Sequence, residues 1–230
     1  MNLQEYFAHN ATWVRISLDA WGDLSYTASR GVRDGEFTRT LKRIRDFVKL
    51  QGSCVLGISL IVDQTNAEHV YEIVQQLRES GVNNVKISPC VVSNEGAENN
   101  RYHQPNYSSV RSQIDRLLEE SSYSDFELFD AYHALETKFD KDYEWCPFLQ
   151  ALCVIGADLN VYSCQDKAYT DKGMLGSLKG KGFAEFWNDN KSKLRKINPS
   201  KDCCHHCVAN HKNQMLHQYL NTDPIHKVFV

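Results

Sequence analysis

Six of the eight cysteines of this chain lie between Cys146 and Cys207, and no other feature restricts its fold as much. The stretch opens with WCPFLQALCVIGADLNVYSCQD and closes with KDCCHHCVANHK. Cys146 and Cys164 flank a predicted β-hairpin, and Cys204 and Cys207 form a C-x2-C pair just ahead of a helical pattern. A C-x2-C turn points two sulfurs at one centre and turns backbone N–H groups toward the thiolates. With the second pair, four thiolates converge, a set that suits a tetrahedral zinc ion or a [4Fe–4S] cluster. Adjacent residues rarely both reach one metal. Cys204 keeps the C-x2-C spacing and Cys203, as C-x3-C, is the alternative ligand. Cys153 sits among Leu152, Val154 and Ile155 and reads as a small buried side chain.

The amino terminus, MNLQEYFAHN, lacks the apolar segment of a signal peptide. The longest apolar run, VLGISLIV, is far short of the roughly 20 residues a membrane helix needs. These features predict a cytoplasmic protein, where clustered cysteines are metal ligands more often than disulfides. A net charge of −3 gives no reason to expect a nucleic-acid partner, and no membrane partner is expected. Residues 172–212 do hold nine Lys or Arg against three Asp or Glu. That segment is read as a solvated face, with a phosphorylated substrate or an acidic partner as the alternative.

Ahead of the cysteines the pattern alternates. WVRISL (13–18) is β-branched and reads as a strand, with polar, glycine-containing residues after it. Phe37, Leu41, Ile44 and Phe47 recur at helical spacing over 36–50, and Gly52 stops that helix. CVLGISLIV (54–62) is apolar almost throughout, as in a strand buried on both faces. Asn66 is placed to cap a helix whose buried stripe is Val70, Ile73, Val74 and Leu77, with Gly81 at its end. NVKIS (84–88) is the third strand. Residues 90–108 read as a loop, Val110, Ile114, Leu117 and Leu118 mark a helix, and 126–129 suits a short strand. Glu136 to Glu144 reads as a charged linker. This order predicts an α/β fold with about three parallel strands. It also leaves strands 13–18 and 84–88 as open sheet edges, to be covered by a partner chain or by self-association. The domain boundary is placed at 140, giving 1–140 and 141–230, the latter a small α+β cysteine-rich domain with helices near 183–188 and 208–220.

Taken in order, the motifs resemble the radical S-adenosylmethionine (SAM) superfamily, in particular enzymes with a C-terminal SPASM or twitch domain. WVRISLDAW resembles the family's fourth barrel strand, YTASRG with Phe37 the following loop and helix, GISLIVDQTN the fifth strand and GVNNVKISP the sixth. ADLNVYSC resembles the D-G-x-V-x-x-C hairpin, and LGSL with FAEFW the G-N-L … F-x-x-x-W segment. Leu159 stands where that hairpin has glycine, and Asn160 is expected to take up the tight turn instead. The superfamily's C-x3-C-x2-C loop and first three barrel strands have no counterpart in these residues.

The resemblance implies a partial (β/α) barrel followed by a SPASM/twitch-like domain. It implies an auxiliary [4Fe–4S] cluster on Cys146, Cys164, Cys204 and Cys207, with Cys203 as the alternative to Cys204 and zinc as the alternative cofactor. It further implies a SAM pocket at the strand ends: Ser17 and Asp19 on the ribose hydroxyls, Arg30 on the methionyl carboxylate. SAM would be cleaved only if the missing barrel half were supplied, so this chain by itself is expected to be inactive. A reductant protein such as a flavodoxin or ferredoxin is the implied electron donor. No catalytic residue is identified, and a non-catalytic zinc-braced interaction module is the rival reading.

Overall fold

The computed structural model describes residues 2–93, 96–121, 125–133, 140–203 and 207–222. The chain divides into two compact units, one of residues 1–92 and 100–135, the other of residues 93–99 and 136–230.

The first unit carries a wholly parallel sheet in the order β1 (Trp13–Ser17), β2 (Val55–Val62), β3 (Asn84–Pro89), β4 (Glu127–Asp130). The segment at 126–129 is thus a strand, shifted by one residue, and it corrects the prediction about edges. Strand β3 is interior, because Asn84–Ile87 pairs with Glu127–Asp130; the edges are β1 and β4. At only four residues, β4 is a short edge, which limits unwanted pairing.

Helices α1 (Leu3–Asn10), α2 (Asp23–Arg30), α3 (Glu36–Val48), α4 (Val70–Glu79), α5 (Gly96–His103) and α6 (Tyr107–Ser121) accompany the strands. Helix α4 forms because Val70, Ile73, Val74 and Leu77 fall on one side, and all four are buried. Val110, Ile114 and Leu117 do the same in α6, whereas Leu118 is exposed. These stripes close on Leu56, Ile58, Leu60, Val62, Val85 and Ile87, each fully buried and worth about 1.5–3 kcal/mol. Gly81, at φ +84°, ends the turn after α4, as its missing Cβ allows. Helix α3 stops at Val48, ahead of Gly52. Gly52 instead lets α1 approach closely, since a Cβ there would lie 1.9 Å from the Ala8 carbonyl oxygen of that helix.

The buried apolar strand residues in that core alternate along each strand and share one face of the sheet, Ile58 beside Val85 and Leu60 beside Ile87. The other face of the sheet carries Trp13, Arg15 and Ser17 on β1, Val55, Gly57, Ser59 and Ile61 on β2, Asn84, Lys86 and Ser88 on β3, and Glu127 and Phe129 on β4, in matching register. Apart from Gly57 and Asn84, which are buried, these are exposed or half-buried, with Trp13 at 65%. Strand β2 is therefore not buried on both faces as its apolar run suggests. The helices close one face, and the second, which mixes polar and apolar side chains, is largely open.

Two further expectations change. Residues 90–108 are not one loop, since α5 and the start of α6 lie within them. Of the predicted charged linker, residues 136–139 lie outside the described residues, and the described remainder contains buried Lys141 and Tyr143.

The second unit is built on an antiparallel sheet of β5 (Val154–Ile155), β6 (Asn160–Tyr162) and β7 (Met174–Ser177). The hairpin was legible; β7 was not. At the turn it is Leu159, not Asn160, that takes the left-handed conformation, with φ +65°. Asp158 explains this: its Oδ1 accepts the Asn160 N–H at 3.0 Å and holds Asn160 in the strand. Helix α7 (Phe183–Leu194) packs Phe186 and Leu194 on Leu149, Val161 and Leu175. A short helix α8 (Pro199–Asp202) leads to Cys203, and α9 (Asn210–Asn221) follows Cys207.

Candidate functional site

In a parallel sheet the chemistry collects where the strands end, because the loops that follow converge there. In the first unit the end of β1 gathers the three residues singled out from the sequence. Arg30, the last residue of α2, donates from one Nη2 to Ser17 Oγ at 3.1 Å and to Asp19 Oδ2 at 2.6 Å. Asp19 is anchored from the other side, since its Oδ1 accepts the Ile61 N–H at 2.7 Å. Arg30 stays 40% exposed and the Asp19 carboxylate 19%, so the pair is solvated on one side and of modest worth to stability. Arg30 is thus engaged with an acid of its own chain.

The residue that aligns this rim is Asn66, which is 2% exposed. It caps no helix with its side chain. Instead Nδ2 donates to the carbonyls of Asp19 (3.0 Å) and Ile61 (2.8 Å), and Oδ1 accepts the Asp63 N–H (2.9 Å). The capping contact falls to Asp63, whose Oδ1 accepts the N–H groups of Thr65 and Asn66. An asparagine after a strand looks like a cap in sequence; only burial marks it as the tie between two strand ends.

Two histidines with buried rings, His103 at the end of α5 and His133 just past β4, escaped the sequence reading. His103 Nε2 lies 2.8 Å from the Cys90 carbonyl, to which it can only donate, so Nδ1 accepts from the Tyr132 hydroxyl at 3.1 Å. Burial holds the His103 imidazole below its usual pKa, which agrees with this neutral form. Burial likewise pushes the Tyr132 phenol up to about 12. His133 pairs with Asp130 through Nδ1 at 2.5 Å. The signal for that pair, an Asp three residues before a His at a strand end, is short and common.

In the second unit Cys146, Cys164, Cys203 and Cys207 line one small cavity, together with the buried Lys141 and Lys167. They come from four places: ahead of the turn Pro147–Gln150, ahead of the turn Gln165–Lys167, after α8 and before α9. Cys153 packs on the core of this unit and is not part of the cavity wall. Cys204 lies outside the described residues.

Burial pushes the thiols of Cys164 and Cys203 up, and that of Cys207 up to about 11. Positive charge opposes that rise, and Lys141 and Lys167 of the same cavity already act in that direction. The donor set is arranged for that. The N–H groups of Lys167 and Asp166 face Cys164, and that of Ala209 faces Cys207. Asn213, fully buried at the base of α9, donates from Nδ2 to Cys146 Sγ at 3.1 Å and receives the Phe148 N–H on Oδ1 at 3.0 Å. Tyr143 donates to Asn210 at 2.8 Å and accepts from Asn213 at 3.2 Å, which fixes the asparagine's orientation. Among the described residues no three His, Cys, Asp or Glu lie close enough together to hold a single metal ion.

No family model matches the sequence, and no curated protein matches it significantly. Solved structures do. The chain is similar to anSMEcpe, an anaerobic sulfatase-maturating radical SAM enzyme, in its structure with bound AdoMet and Kp18Cys peptide; the TM-score is 0.53 at 16% identity, over 94% of this chain and 70% of that one. It is also similar to Streptococcus suis SuiB bound to S-adenosylmethionine, with a TM-score of 0.50 at 13% identity, over 90% of this chain and 52% of that one. The chain thus spans about half the length of SuiB. At such identities the likeness is one of fold alone.

Proposed function

We propose that this chain is the C-terminal portion of a radical SAM enzyme, with half of the barrel in its first unit and an auxiliary [4Fe–4S] cluster in its second. The observation that carries the reading is the small cavity walled by Cys146, Cys164, Cys203 and Cys207, with backbone N–H groups directed at two of its sulfurs. The proposed ligands are Cys146, Cys164 and Cys207, with Cys204 or Cys203 as the fourth. A bound cluster supplies one-electron chemistry there. The chain's own residues exclude water, offer N–H groups to the thiolates and, through Asn213, orient Cys146.

In the first unit the open sheet face supports the same reading, because a parallel sheet covered on one side only is what half a barrel looks like from within. In the proposal Ser17 and Asp19 meet the ribose of SAM, and Arg30 exchanges its contact with Asp19 for the methionyl carboxylate. The 230 residues contain no C-x3-C-x2-C loop, so the cluster that cleaves SAM must come from another segment or chain that also covers β1.

The test is anaerobic reconstitution with iron and sulfide, followed by absorption spectroscopy and metal analysis. About four irons per chain support the proposal. Stoichiometric zinc without iron after anaerobic purification would favour a zinc-braced interaction module.

A further inference from the structure

At the end of β4 the chain reads Asp130-Ala131-Tyr132-His133. Asp130 closes a tight turn: its Oδ1 accepts the N–H groups of Tyr132 at 2.9 Å and His133 at 3.1 Å. Its Oδ2 faces His133 Nδ1. An ionised carboxylate only accepts, so Nδ1 carries the proton. The rings of Tyr107 and Tyr132 pack edge-on against the imidazole, at 5.0 and 5.2 Å, and fix its plane.

The other nitrogen is unused. The His133 side chain is only 7% exposed, and Nε2 is buried with no hydrogen-bond partner among the described residues. Its neighbour His103 shows what a structural histidine looks like here, with both ring nitrogens satisfied. Buried polar atoms are nearly always paired, so an oriented imidazole with one idle nitrogen is an unfinished contact. It lies just past a strand's C-terminal end, the rim where parallel sheets receive ligands. Once Nδ1 is protonated, neutral Nε2 offers a lone pair. It matches a neutral donor and repels an anion.

We propose that His133 Nε2 is a substrate-binding atom that accepts a hydrogen bond from a neutral N–H or O–H group, an amide or an alcohol, with Asp130 as its positioning residue. The proposal uses only the first unit and does not depend on a cluster in the second.

The test is nitrogen-15 NMR of the full chain labelled at histidine, at about pH 8.5, where an ordinary imidazole is neutral. Acetamide is the probe and acetate, its near-isostere, the control. The expected result is an unprotonated Nε2 whose resonance moves saturably with acetamide and not with acetate. In Asp130→Asn the amide oxygen can keep the two backbone contacts while its NH2 faces Nδ1. The proton should then move to Nε2, and the response to acetamide should disappear. A protonated Nε2 in the unsubstituted chain would overturn the proposal. So would an unprotonated Nε2 indifferent to acetamide, which marks an internal water site. Should D130N not fold, the comparison of the two probes on the unsubstituted chain decides alone.

Discussion

Replacing Asn66 by Ala should loosen the sheet rim that carries Ser17, Asp19 and Arg30. The side chain is buried and makes three hydrogen bonds, to the Asp19 and Ile61 carbonyls and from the Asp63 N–H. Alanine removes all three and leaves their partners in a space too small to rehydrate well. At about 0.5–1.5 kcal/mol net per neutral bond, with extra cost for the stranded carbonyls, the loss is about 2–4 kcal/mol. For a chain of this length that corresponds to a fall in Tm of about 4–16 °C. Asn66→Asp should be at least as damaging, because it keeps the contact from Asp63 but sets a carboxylate against two carbonyl oxygens. Far-UV circular dichroism during heating, with urea titration as a check, measures both. The effect reaches the site because Asp19 is held by its own carbonyl as well as by its carboxylate. If N66A lies within about 1 kcal/mol of the parent, Asn66 is not the tie between the strand ends and the reasoning fails.

Other consequences are open to test. His103 is held below its usual pKa by burial, so the native state binds fewer protons than the unfolded chain as pH falls through about 6.5. Its contribution to stability is present above that pH and is lost as pH falls toward the folded value. Tm should drop less between about pH 8 and pH 5 in H103Q than in the parent, and equal drops would refute the assignment. Leu159 holds a left-handed conformation that costs an L-residue about 1–2 kcal/mol, more than the extra backbone entropy of glycine. L159G should therefore raise stability by about 0.5 kcal/mol in urea denaturation, and a loss above about 1 kcal/mol would show that contacts of its exposed side chain matter more. In reconstituted protein, Cys146→Ala, Cys164→Ala and Cys207→Ala should each lower bound iron, while Cys153→Ala should leave it unchanged; iron loss on C153A equal to the others would contradict the ligand assignment.

Periodicity made the alternating half of the chain legible. Strands β1 to β3 and helices α3, α4 and α6 each show an apolar run or stripe that their burial explains. What escaped had no such stripe. Helix α2, DLSYTASR, buries none of its residues, and α5, GAENNRYH, is polar almost throughout. Lys141 and Tyr143 sit in a charged stretch, and only the packing of α9 and the cysteine cavity around them makes them interior. The apolar run of β2 gave no warning that one face is open, because Gly57 and Ser59 interrupt it too weakly. The cysteines were read from spacing, and the structure draws three of the four named ligands, with Cys203, to one cavity. Spacing could not foresee Asn213, which meets Cys146 from 67 residues away.

The claim that Cys146 to Cys207 enclose an auxiliary iron–sulfur centre is tested most directly by Mössbauer spectroscopy of the full chain, reconstituted anaerobically with iron-57. The account predicts the quadrupole doublet of a [4Fe–4S] cluster accounting for about four irons per chain, given four-thiolate ligation. Iron that remains a mononuclear or adventitious species, with zinc recovered at one per chain, would contradict it.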